Sequence, residues 1–142
     1  MKKITGLTMI SAFVSLTACT QKIDISKVPA TIKESFARQF PGITARWEKE
    51  DGKYEAGFKQ DGHEMSALFD SNGVMTESEI EIELSELPAN VKEYIKTRYN
   101  GASIKETAKI ILPGGKTQYE AEIKGRDIIF DSQGNFIKEV AH

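Results

Sequence analysis

The sequence predicts an α+β fold: a tandem duplicated unit, each copy one helix followed by a four-stranded antiparallel meander. The two copies join into one curved sheet of about eight strands, with both helices on one face. Three observations carry this reading. Phe69-Asp70-Ser71-Asn72-Gly73 returns as Phe130-Asp131-Ser132-Gln133-Gly134. Val28-Pro29-Ala30-Thr31-Ile32-Lys33-Glu34 returns as Leu87-Pro88-Ala89-Asn90-Val91-Lys92-Glu93. After each proline-bearing segment the apolar period shifts from about four residues to two, the change from a helix stripe to a half-buried strand.

The chain of 142 residues opens with a segment that precedes the fold. Lys2 and Lys3 are followed by the mostly apolar run from Ile4 to Leu16, which reads as residues 1–18 of a lipoprotein signal peptide and is too short to span a bilayer. Leu16-Thr17-Ala18-Cys19 resembles the bacterial lipobox, which implies cleavage before Cys19 and acylation of its sulfur and amine. Cys19 is the single cysteine, so the mature domain is expected to fold without a disulfide. Residues 19–27 read as a lipidated tether, 28–84 as the first repeat and 85–142 as the second.

Each repeat begins with a helix. Ser26 and Ser85 are expected N-caps, with Pro29 and Pro88 in the first turn, where a missing N–H costs nothing. Ile32, Phe36 and Phe40 form one apolar stripe, and Val91, Ile95 and Tyr99 form the other. Tyr94 lies off the stripe and is expected to be exposed. Pro41-Gly42 and Asn100-Gly101 end the helices. In the strands that follow, Tyr54, Ala56 and Phe58 alternate with polar residues, as do Tyr119, Ala121 and Ile123. Asp51-Gly52, Asp61-Gly62, Gly114-Gly115 and Lys124-Gly125 supply hairpin joints. The repeated Phe-Asp-Ser-x-Gly suits a type I turn closed by a glycine at positive φ, linking the third strand of each copy to the fourth.

These two proline-led stripes, each followed by "Tyr-Glu-Ala" and "Phe-Asp-x-x-Gly", resemble the PepSY-like, beta-lactamase-inhibitor-like family, small exported proteins of Bacteroides-type bacteria. The resemblance runs from about Val28 to His142. It implies a periplasmic tandem α+β fold with a binding or inhibitory role, and it brings no catalytic residues with it.

The residues themselves offer little chemistry. Net charge is −2 with no basic block, so nucleic acid has no electrostatic footprint here. His63 sits at a hairpin mouth and His142 ends the chain, so neither makes a catalytic or metal constellation, and no cofactor is expected. Gly114-Gly115-Lys116-Thr117 lacks the earlier glycine of a P-loop and enters a strand, not a helix. The reading is therefore not an enzyme. Glu77, Glu79, Glu81 and Glu83 are expected on one strand face, matched across strands by Lys105, Thr107 and Lys109, or else offered to a partner or, ranked last, to a loosely bound calcium ion. Leu68 and Ile129 fall at equivalent positions on the helix-free face and are candidate partner contacts. Trp47, Tyr54, Phe58 and Phe69 read as core. The expected function is a lipid-anchored, periplasm-facing module of the outer membrane that docks a protein or peptide on the open sheet face, touching membrane only through its anchor. The alternative is a small-ligand carrier or sensor with a cavity between helices and sheet.

Overall fold

The structure, a computed structural model, describes residues 21–141. The expected signal peptide, Cys19 and His142 lie outside the described residues. Nine strands form one open antiparallel sheet in strict chain order. They are β1 (Gln21–Ile23), β2 (Arg46–Glu50), β3 (Lys53–Gln60), β4 (His63–Phe69), β5 (Met75–Glu81), β6 (Glu106–Ile111), β7 (Thr117–Ile123), β8 (Arg126–Asp131) and β9 (Phe136–Ala141). Two helices, α1 (Ala30–Gln39) and α2 (Ala89–Arg98), precede β2 and β6. The sequence leads to α+β with two repeats, and the fold has both. The ninth strand comes from the expected tether: Gln21, Lys22 and Ile23 pair with Lys49, Glu48 and Trp47. That segment is therefore in part an edge strand.

The helices pack by their stripes, one core per copy. In the first, Ile32 and Phe36 of α1 meet Trp47, Tyr54, Ala56, Phe58, Ala67 and Phe69. Phe36 sits edge-on to Trp47, Phe58 and Phe69, with ring centroids 5.2–6.3 Å apart. Such contacts add about 0.5–1.5 kcal/mol each beyond their buried area. In the second, Val91 and Ile95 of α2 cover Ala121, Ile123, Ile128 and Phe130. Tyr94 is half-buried, contrary to expectation, because Phe136 of β9 stacks on it at 5.2 Å. Ser26 and Ser85 also fall elsewhere than expected. They lie inside 3-10 turns at Ile25–Lys27 and Leu84–Glu86, and Pro29 and Pro88 occupy the helix caps. Asp24 caps the first turn by accepting from the Ser26 N–H at 2.9 Å.

The repeated turn closes as its sequence requires. Asp70 Oδ1 accepts from the N–H groups of Asn72 and Val74, and Asp131 Oδ1 from those of Gln133 and Asn135. Both turns also lean on a helix start. A Cβ on Gly73 would meet the Thr31 carbonyl oxygen at 3.0 Å, and one on Gly134 would overlap the Asn90 amide. That amide donates to the Gln133 carbonyl at 2.8 Å. Gly73 and Gly134 have φ of 83° and 81°, as does the unobstructed Gly114 at 80°. Left-handed backbone costs a side-chain-bearing residue about 1–2 kcal/mol. Gly134→Ala and Gly73→Ala are therefore expected to lower the urea midpoint by more than Gly114→Ala, the excess measuring the helix contact.

Candidate functional site

The helix-free face carries the site. Strand alternation places Glu55 and Gly57 of β3, Glu64, Ser66 and Leu68 of β4, and Glu77, Glu79 and Glu81 of β5 on it. Glu106, Ala108 and Ile110 of β6, Glu120 and Glu122 of β7, Asp127 and Ile129 of β8, and Lys138 of β9 follow. Both helices pack on the opposite face, yet Glu79, Glu120, Asp127 and Ile129 are only 3%, 5%, 2% and 2% exposed. The helices are not what buries them, so we read the sheet as curling over this face and the face as concave. Irregularities at equivalent places, Leu68/Phe69 and Ile129/Phe130, break the ladder in each copy. Bulges of this kind bend a strand and sharpen its twist.

Concavity sets the electrostatics. Burial is the main cause that holds the Glu79 carboxyl well above the usual glutamate range, reinforced by Glu77, Glu55 and Asp127. Glu120 is raised in the same way, with Glu79 the largest of its charged neighbours, then Asp127 and Glu77. Burial also raises Glu77, against the pull of Lys138 and Lys53. Glu106 is raised by burial and by Glu122. Glu79 Oε1 and Glu120 Oε2 are buried and accept no hydrogen bond among the described residues. The floor between these two carboxyls is apolar: Ile110 lies opposite Glu79, and Ala108 opposite Glu120. Cations stand on both sides of the cluster: Lys138 on β9, and in the first copy Lys59 Nζ, which pairs with Glu64 at 2.8 Å, and Arg46, which approaches Glu64 at 3.8 Å. Among the described residues no group of three or more His, Cys, Asp or Glu is arranged to hold a metal ion.

The family described as "Putative beta-lactamase-inhibitor-like, PepSY-like" matches residues 15–77 and 52–138, two overlapping matches that together cover most of the chain. The chain belongs to this PepSY-like family. Solved structures with the same fold include a DUF2874 family protein from Bacteroides uniformis, 17% identical with a TM-score of 0.68, covering 80% of this chain and 88% of that one. A BLIP-like protein from Bacteroides fragilis is 22% identical with a TM-score of 0.63, covering 80% and 85%. A protein from Bacteroides eggerthii described as "putative periplasmic" is 14% identical with a TM-score of 0.70, covering 80% and 88%. No curated protein matches the chain. No helix among the described residues is long and apolar enough to cross a membrane.

Within this PepSY-like frame the sequence candidates separate. Leu68 and Ile129 share the concave face, but as buried floor and not as exposed contacts. Glu77 and Glu79 join the acidic cluster, and Glu81 ends β5 half-exposed. Glu83 leaves the stripe altogether: its N–H donates to Glu86 at 2.8 Å at the start of a 3-10 turn. The expected counter-charges do not face the glutamates. The β5–β6 register sets Glu79 against Ile110 and Glu81 against Ala108, turning Lys109 toward Ile80 on the helix side. Thr107 donates to the Ile82 carbonyl at 2.6 Å, and Lys105 pairs through its backbone with Glu122. Glu55, Glu120, Glu122 and Asp127 were not singled out by sequence. Glu55 and Glu120 are the middle residues of the two "Tyr-Glu-Ala" copies, each opposite its own apolar partner, Leu68 and Ile129.

Proposed function

We propose that this PepSY-like chain is a non-enzymatic lipoprotein, anchored through Cys19 and facing the periplasm, that docks a protein or peptide on its concave sheet face. One observation carries the docking: buried carboxyl groups with unpartnered oxygens stand over an apolar floor on the face the helices leave free. Polar atoms buried in this way cost about 1–3 kcal/mol each unless a partner satisfies them. The space beneath α1 is filled by the Phe36, Trp47, Phe58 and Phe69 rings, which favours docking on the sheet over a carrier cavity. The motif Leu16-Thr17-Ala18-Cys19 supports the anchor, because two or more acyl chains hold durably where one does not.

A photo-reactive residue placed at Lys59 or Lys138 on the concave side is expected to crosslink an envelope protein in living cells. The same residue at Arg38 or Lys96 on the helix surfaces is expected not to. Equal capture from both sides, or none from either, overturns the docking reading. Cys19→Ser is expected to move the chain from the membrane to the soluble fraction, and retention in the membrane overturns the anchor.

A further inference from the structure

Resting on that docking reading, we infer that the occupant of the concave face is an arginine side chain of a polypeptide partner. Its guanidinium would sit between Glu79 and Glu120, with its stem over Ile110 and Ala108. The two carboxyls stand on β5 and β7, and directly opposite them β6 presents these two apolar side chains, with Glu106 one step further along the same face. An amphipathic cation matches that layout, apolar along its stem and charged at its head. One oxygen of each carboxyl, Glu79 Oε1 and Glu120 Oε2, is buried and meets no hydrogen-bond partner among the described residues, while Ser66 and Glu77 interact with the Glu79 carboxyl. A guanidinium brings five donors in a rigid plane and can serve two carboxylates at once, whereas an ammonium is a compact, strongly hydrated point charge. A bare metal ion fits less well, since no three ligands converge among the described residues.

The test uses the detergent-solubilised full chain and capped Gly-Gly-Arg-Gly-Gly peptides titrated by calorimetry, with amide shifts read by NMR. The arginine peptide is expected to bind at least tenfold more tightly than its norleucine counterpart and several-fold more tightly than its lysine counterpart. Shifts are expected to centre on Ser66, Glu79, Ile110 and Glu120. The double variant Glu79→Gln/Glu120→Gln is expected to lose at least tenfold, and Glu34→Gln/Glu93→Gln on the helix surfaces to lose nothing. Circular dichroism verifies that both variants are folded. Equal binding of the norleucine or lysine peptide, or an unchanged double variant, overturns the proposal. So does displacement of the peptide by spermidine or calcium chloride at equal concentration. If the arginine peptide fails while Lys59 and Lys138 still crosslink a partner, docking stands and the guanidinium falls. If both fail, docking itself falls.

Discussion

Phe69→Ala and Phe130→Ala are each expected to destabilise the protein by about 3–5 kcal/mol, the usual cost of deleting a buried ring whose cavity cannot collapse. Both rings are fully buried, at the same place in their copies, just before the turn that docks on a helix. The consequences are expected to differ in kind. Phe69 lies in a dense aromatic set with Phe36 and Trp47. Phe130 contacts Tyr94 and Phe136, which tie α2 to the last strand. Hydrogen exchange in Phe130→Ala should therefore quicken first in β9 and α2, with β2 to β4 still protected. A uniform loss of protection in both variants would show that the two copies unfold as one unit.

The second large effect is on pH dependence. Glu79, Glu120, Glu77 and Glu106 all have carboxyls raised in the folded state, chiefly by burial. The folded chain then holds protons that the unfolded chain releases. Stability from these groups is complete below the ordinary glutamate value of 4.5 and is lost as pH climbs through their raised values. Each such proton contributes a slope of at most about 1.4 kcal/mol per pH unit. Asp24 and Asp131 work in the opposite direction. Their turn hydrogen bonds lower them, so their contribution is present above 3.8 and fades in stronger acid. Stability should therefore peak in mild acid and decline toward pH 8. Glu79→Gln/Glu120→Gln should flatten that decline and raise the melting temperature at pH 8 by several degrees, since about 1 kcal/mol moves a domain of this size by roughly 2–8 °C. Urea melts at pH 5, 6.5 and 8 check this. A double variant less stable than the parent at pH 8 would mean that the two carboxyls are satisfied in the folded protein.

Much of the fold is written locally. The stripes Ile32-Phe36 and Val91-Ile95, the paired prolines and the Asp-Ser-x-Gly turns each act within a few residues, and each matches an element or joint of the structure. What is set by distant partners was not legible. β1 is three residues long, and only its ladder with β2 makes it a strand. The β5–β6 register is fixed across α2, so no local pattern showed that Lys109 would face Ile80. Alternation placed Leu68, Ile129, Glu77 and Glu79 on the correct face but carried no information on their burial. That depends on the path of the whole sheet, and its ladder irregularities at Leu68/Phe69 and Ile129/Phe130 leave no mark in residue type. Glu55 and Glu120 read as the ordinary outward half of an alternating strand, and only sheet curvature makes Glu120 a buried acid.

The strand β1 begins at Gln21, two positions beyond Cys19. An extended residue reaches at most about 3.6 Å, so a chain acylated at Cys19 has roughly 7 Å of slack between its lipid and its first ladder bond. Under the proposed anchor such a module would be moored flush against the headgroups, not held out on a stalk. Whatever it captured would have to come down to the bilayer to be met, which would make proteins seated in the same leaflet its natural company.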